Sequence, residues 1–162
     1  MFKNNIKKIL SSFIIVIAIF FLDRVSKNYI LDILEINNTV DIYITSYLNL
    51  YLIWNSGIAF GLFSFDEIFI YNLITFIIAS ITIVILVMII SNQGFRKYCL
   101  LAVLGGSLGN LFDRVYYSAV PDFIDFHVNN FHWFVFNVAD IFITLGIVCL
   151  ICAEIFNHKE SE

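Results

Sequence analysis

The sequence predicts an α-helical polytopic membrane protein, with four transmembrane helices and a small extracytoplasmic antiparallel β-sheet between helices 1 and 2. Three observations carry this. Of the 162 residues, 60% are hydrophobic and only 14% charged, and the mean hydropathy is +0.90, far more apolar than a soluble domain of this length. Four apolar runs, at about 9–29, 66–91, 98–115 and 136–156, approach the ~20 residues a helix needs to cross a bilayer. From about 37 to 64 the hydropathy falls and the periodicity changes to alternation. These parts fill one integral membrane domain over residues 1–162 and leave no room for a separate soluble domain.

In the first run, Lys3, Lys7 and Lys8 precede the apolar stretch from Ile9 to Leu22, as in a secretory signal peptide. No small-residue cleavage site follows, only Asp23 and Arg24, so the stretch reads as an uncleaved span. At its outer end Asp23 and Lys27 stand at i, i+4 in the favourable acid-first order. An ordinary helix end with a snorkelling lysine has the same pattern.

Next, Val40, Ile42 and Ile44 alternate with Asp41, Tyr43 and Thr45, and Leu48, Leu50 and Leu52 with Tyr47, Asn49 and Tyr51. Asn37 and Asn38 before them, and Asn55, Ser56 and Gly57 after, are turn formers. Open sheet edges cannot lie in hydrocarbon, so this sheet belongs on the outer membrane surface. The second run is almost free of charge after Asp66 and Glu67, and a basic turn with Arg96 and Lys97 leads into the third. Between the third and fourth runs, Tyr116 to Val135 is aromatic-rich, contains Pro121, and is expected to form a loop or short strand.

Charge placement sets the orientation. Lys3, Lys7, Lys8, Arg96, Lys97 and Lys159 fall on one side, which marks it as cytoplasmic together with both termini. Arg24, Lys27 and Arg114 fall on the other, each close to carboxylates that offset their charge. There is no basic patch, which argues against a nucleic-acid partner. Cys99, Cys149 and Cys152 are odd in number and sit in or beside apolar runs, so neither a disulfide framework nor a zinc site is expected.

Candidate chemistry concentrates between Gly105 and Asp140. On a helix, Gly106, Gly109, Asn110 and Asp113 share a face at i, i+3, i+4 and i+7, with Arg114 beside it. The fourth run opens FNVAD, which puts Asn137 and Asp140 on a face at i, i+3. The connecting loop adds Asp122 and Asp125. Ionisable groups in such a place are costly and usually functional. Two carboxylates in a partly dry site cannot both ionise comfortably, so the pair keeps a proton. Its ionised member can activate water while the other protonates a leaving group, which is aspartic-peptidase chemistry. Asn55, Asn110, Asn137 and Arg114 are candidate donors that orient the pair or a substrate backbone. The plainer alternative is interhelical glue, polar groups and glycines merely packing spans together.

Other patterns carry less. Gly105 to Gly109 matches G-x-S-x-G but lies within a helical run, whereas a nucleophile elbow needs a strand-turn-helix context. His127 and His132 are five apart and fit neither HExxH nor a structural zinc pattern, so they are expected to be interfacial side chains. A transporter would place its acids near the bilayer midplane, and here they gather at one surface. A nonenzymatic assembly protein remains the third reading.

Five short motifs in order resemble the lipoprotein signal peptidase (signal peptidase II) family of bacterial membrane aspartic peptidases. They are D-x-x-x-K at Asp23 and Lys27, N-x-G-x-A-F at Asn55 to Phe60, G-G-x-x-G-N-x-x-D-R at Gly105 to Arg114, V-x-D-F-I-D at Val120 to Asp125, and F-N-x-A-D at Phe136 to Asp140. The resemblance covers nearly the whole chain. It implies a catalytic pair of Asp122 and Asp140, with Asp23, Lys27, Asn55, Gly109, Asn110, Asp113, Arg114, Asn137 and Ala139 supporting it or binding substrate. Asp113, nominated equally by its helix face, becomes a supporting residue paired with Arg114. Pro121 departs from the apolar residue usual in that motif and restricts Val120 to extended geometry.

The resemblance further implies cleavage of diacylglyceryl-modified prolipoproteins immediately before the lipidated cysteine, in the bacterial cytoplasmic (inner) membrane, with the active site near the outer face. No metal or other cofactor is expected, and the protein is expected to act as a monomer in the lipid bilayer.

Overall fold

The computed structural model describes residues 2–57, 67–129 and 131–159. Along the chain run helix α1 (Phe2–Asn37), strands β1 (Asp41–Thr45) and β2 (Leu48–Asn55), helices α2 (Glu67–Ser91) and α3 (Gly94–Tyr117), strands β3 (Val120–Val128) and β4 (Phe131–Phe136), and helix α4 (Val138–Lys159). The motif at Asn55 to Phe60 is described only as far as Gly57.

Among the described residues, three helices are long and apolar enough to cross a membrane: Ile9–Asn37, Ile68–Ser91 and Val138–Phe156. Their large side chains, among them Phe13, Phe21, Phe76, Ile90, Leu145 and Ile151, point outward rather than into the protein. Helix α3 is different. Its Gly, Ser, Asn, Asp and Arg residues lower its hydropathy, and Gly105, Gly106, Ser107, Gly109, Asp113 and Arg114 among them are buried because α3 packs against α1, α2 and α4. The apolar core between the helices is built from Val16, Ile85, Ile89, Leu100, Leu101, Val103 and Leu104.

Two glycines decide how closely the helices approach. A Cβ on Gly106 would lie 2.5 Å from the carbonyl oxygen of Ala139 in α4, and one on Gly109 would lie 2.6 Å from Asp23 Oδ2 in α1. Only a residue without a side chain lets α3 touch both neighbours at the level of the acidic residues.

The first helix is longer than its expected span and ends only at Asn37. The sheet is larger than expected and is not confined to the connection between α1 and α2. It has four antiparallel strands in the order β1-β2-β3-β4, and its second half comes from the connection between α3 and α4, where a loop or short strand was expected. The alternating apolar residues of β1 and β2 need a partner for their inner face, and Ile30, Val40 and Phe123 form that small second core, with Ile33, Leu34 and Leu50 against it.

Pro121 is accommodated at a position where β3 pairs with β2 alone, opposite Trp54, because β4 joins only from Ile124 onward. A missing N–H is tolerated in such an edge segment.

Candidate active site

The site forms where the N-terminus of α4, the start of β3, the end of β2, and the facing sides of α1 and α3 converge. Asn137 is the N-cap of α4 and Asp140 its third residue. The Asp140 backbone N–H donates to Asn137 Oδ1 at 3.1 Å, and the Asn137 backbone N–H donates to Asp140 Oδ2 at 3.1 Å. This is a capping box made with an amide and an acid, and it satisfies two donors that a helix start leaves free. A carboxylate is also favoured there by the helix dipole.

The same Asn137 reaches the second carboxylate: its Nδ2 donates to Asp122 Oδ1 at 2.6 Å. Asp122 Oδ2 accepts from Asn55 Nδ2 at 2.8 Å, and Asn55 Oδ1 accepts from the Gly57 backbone N–H at 2.7 Å. Gly57 has φ +80, a left-handed conformation suited to glycine. Asp122 is 3% exposed. Burial pushes its carboxyl up to about 6; the amide donors of Asn55 and Asn137 oppose that rise, the charge of Asp140 adds to it, and Lys27 opposes it. A cavity of about 210 Å³ opens beside Asp122, lined by Ile53, Trp54, Asn55, Ser56 and Val135.

Behind Asp140 lies a charge cluster in which Asp23, Lys27 and Asp113 are fully buried. Lys27 Nζ donates to Asp113 Oδ2 at 2.6 Å and to Asn110 Oδ1 at 3.0 Å, and sits 2.9 Å from Asp23 Oδ1. Arg24 completes it, with Nη2 2.8 Å from Asp23 Oδ2 and Nη1 2.5 Å from Asp113 Oδ1. Two acids face two bases, so the cluster is neutral and none of its charges is left uncompensated in the low-dielectric interior. Asp23 Oδ1 also accepts the backbone N–H of Ala139 at 3.0 Å, which ties α1 to the first turn of α4.

Asn110 links this cluster to the site. Lys27 occupies its oxygen, so its Nδ2 must point the other way, and it donates to Asp140 Oδ1 at 2.7 Å. The amide orientation of Asn110 is thus set by a lysine on another helix.

The expected residues therefore fall into two groups. Asp122, Asp140, Asn55, Asn110 and Asn137 form one hydrogen-bonded set. Asp23, Lys27 and Asp113 form the charge cluster, with Gly109 and Ala139 packed against it. Asp113 pairs with Lys27 and Arg24, not with Arg114 as expected, because its side chain faces α1. Arg114 lies apart: its guanidinium stands under Gly57 and over the Tyr71 ring, 5.8 Å from the ring centroid, and its carbonyl oxygen accepts the Tyr71 hydroxyl at 2.6 Å.

Asp125, counted with the acidic cluster in the sequence, faces His127 and His132 instead. His127 is buried, which departs from the expected interfacial side chain. Sequence reasoning also missed the Arg24–Asp113 pair and the role of Tyr71, which carry no signal in local spacing.

A bundle of apolar helices that holds two linked carboxylates, one of them buried beside an open cavity, is the construction of a membrane enzyme. The chain belongs to the signal peptidase II family, a family of peptidases, whose model, described as "Signal peptidase (SPase) II", matches residues 15–156. It is 52% identical over 161 residues to the lipoprotein signal peptidase of Pelagibacter ubique (strain HTCC1062), covering 99% of this chain and 97% of that one. It is 35% identical over 150 residues to the lipoprotein signal peptidase of Anaplasma marginale (strain Florida), covering 91% and 86%. Among solved structures, a bacterial membrane enzyme determined by the in meso method at 2.3 Å resolution superposes with a TM-score of 0.71 over 94% of this chain and 92% of that one, at 24% identity, a likeness of fold.

Proposed function

We propose that the protein is an aspartic endopeptidase that removes the signal peptide from diacylglyceryl-modified prolipoproteins, cutting immediately before the lipidated cysteine. It works as a single integral membrane domain of the bacterial inner membrane. All four helices span, both termini are cytoplasmic, and the sheet with the carboxylate site lies at the outer face. The family and the names of the relatives support the substrate. The observation that carries the mechanism is Asn137, which hydrogen-bonds Asp122 with its side chain and Asp140 with its backbone N–H.

In this mechanism the pair holds one proton. The ionised carboxylate takes a proton from a water molecule as its oxygen attacks the scissile carbonyl. The tetrahedral intermediate collapses when the protonated carboxyl gives its proton to the departing nitrogen. The products are a signal peptide ending in a carboxylate and a lipoprotein with a free amino group on its cysteine. No covalent enzyme intermediate is formed.

Asn55, Asn110 and Asn137 keep the carboxylates from turning away, and such fixed donors lower the cost of reorganisation during the reaction. The diacylglyceryl chains remain in the bilayer and supply binding at about 0.8 kcal/mol per buried methylene. Lateral entry from the membrane follows.

The test is incubation of the purified protein with lipidated and unlipidated precursor. Cleavage of the lipidated form alone supports the reading, and equal cleavage of both removes the lipid from recognition.

A further inference from the structure

On the same sheet, a few residues along β3 from Asp122, stands a cluster that the proposed peptidase chemistry does not use. Asp125 and His127 lie on β3 two residues apart, and His132 on β4 is the register partner of His127. Their side chains gather on one face although they are scattered in sequence. A β-bulge between Phe126 and His127 sets this register, and the spacing of the histidines along the chain does not reveal it.

One carboxylate serves both imidazoles. His132 Nδ1 is 2.8 Å from Asp125 Oδ2, and His127 Nδ1 is 3.5 Å from the same oxygen. The two rings stack with centroids 5.1 Å apart and an interplanar angle of 28°. Asp125 is 2% exposed and His127 8%. A simple hydrogen-bonded pair accounts for His132 and Asp125 but leaves His127 Nδ1 buried with no hydrogen-bond partner, which is costly.

We propose that Asp125, His127 and His132 form a binding site for a divalent transition-metal ion of the Zn²⁺ class. The three residues offer one carboxylate oxygen and two ring nitrogens that all lie within 4.8 Å of one another. Ligands about 2.0–2.2 Å from a tetrahedral ion stand roughly 3.3–3.5 Å apart. The separation of His127 Nδ1 and Asp125 Oδ2 already matches that edge. The His132 Nδ1–Asp125 Oδ2 edge, at 2.8 Å, has to lengthen by about half an ångström to reach zinc geometry, and His132, with its side chain 59% exposed, is free to re-seat and bring its ring nitrogen, already within 4.8 Å of the other two ligand atoms, to the ion.

Imidazole nitrogens favour zinc and its neighbours over magnesium and calcium, which prefer all-oxygen shells. The buried His127 Nδ1 gains the partner it lacks. A cavity of about 370 Å³, lined by Asp41, Asn49, Asp125 and His132 among others, gives the ion a way in and leaves room for water in the fourth position. Asn49, directly opposite Asp125 on β2, has a buried amide oxygen without a hydrogen-bond partner near this site. The bound ion would clasp β3 to β4. Nothing in this proposal depends on the peptidase reading.

The test uses full-length protein in detergent, carrying no histidine tag and stripped with a chelator, titrated calorimetrically with Zn²⁺ alone and with Mg²⁺ and Ca²⁺ as comparators. One equivalent of Zn²⁺ should bind, without competition from Mg²⁺ or Ca²⁺, and should raise the thermal unfolding midpoint. His132→Ala and His127→Ala should each weaken zinc binding by roughly 100-fold or more, since losing even an outer partner of a ligand costs about 10–100-fold. His158→Ala, at the far end of the chain, should bind as the parent does. His132 is exposed, so its variant keeps the fold, and its unfolding midpoint should no longer respond to zinc. Zinc binding that survives both substitutions, or a parent that binds zinc no better than magnesium, overturns the proposal.

Discussion

Asn137 and Asp140 exchange two hydrogen bonds, each backbone N–H donating to the other's side chain at 3.1 Å, while the free end of the Asn137 amide holds Asp122. One side chain therefore both starts helix α4 and positions the second carboxylate. The two roles separate by substitution. Asn137→Ser keeps an N-cap oxygen but loses the amide Nδ2 that donates to Asp122, and its shorter hydroxyl does not take that place. It should unfold within a few degrees of the parent and yet cleave precursor roughly 100-fold more slowly, the cost of a misplacement of about 1 Å. Asn137→Ala should lose a further ~1 kcal/mol of stability with the cap. Thermal unfolding and single-turnover cleavage measured on the same samples distinguish the two.

The pH dependence follows from Asp122. Its carboxyl is raised to about 6, mainly by burial, so under the proposed mechanism the pair would lose its shared proton as the pH rises through that value. Cleavage should therefore decline on an alkaline limb near pH 6. Removing the Asn55 amide, which favours the charged form, should move that limb upward. The measurement is kcat/KM against pH for the parent and Asn55→Ala. An unmoved or lowered limb in the variant contradicts the assignment of the rise to Asp122.

Lys27 compensates two fully buried acids. Lys27→Met leaves Asp23 and Asp113 with only Arg24, and breaking a buried pair on one side costs ~3–5 kcal/mol. Adding Asp113→Asn to that variant removes one of the stranded charges and should restore part of the loss. Unfolding midpoints in one detergent measure this. A Lys27→Met protein as stable as the parent would mean that the cluster is not a stabilising unit.

Gly106 and Gly109 differ in what a methyl group would strike. At Gly106 the obstacle is the backbone oxygen of Ala139, whereas at Gly109 it is the Asp23 carboxylate, which can turn only by giving up bonds to Lys27 and the Ala139 N–H. Both alanine variants should lose ~1–3 kcal/mol, as overpacked sites do. Gly106→Ala should also push the first turn of α4 outward and slow cleavage. Comparison of unfolding and cleavage for the two variants checks this.

Much of this site was legible because helices write their faces at fixed intervals. The spacing of Gly106, Gly109 and Asn110 placed them on one face, and that face does meet Asp23, Ala139 and Asp140. The i, i+3 spacing of Asn137 and Asp140 became the capping box. Asp113 sits on the same face one turn further on, but α1 supplies Lys27 and Arg24 at that level, which no pattern within α3 encodes.

The sheet was legible only in its first half. The sequence alternates apolar and polar residues through β1 and through β2 as far as Leu52, while β3 is buried at Val120, Pro121, Asp122 and Phe123 in succession and so loses the period of two. The Asp125, His127 and His132 cluster depends on a bulge between paired strands. Only the register reveals it.

The most direct test of the central claim is cleavage of a lipidated precursor by membrane-inserted parent, Asp122→Asn and Asp140→Asn proteins. The expected result is that both variants insert and unfold like folded proteins but leave the precursor uncut, with a loss of at least about 1,000-fold. Cleavage at the parental rate by either variant would contradict the account, because a pair that works with one carboxylate missing is not the pair that activates water.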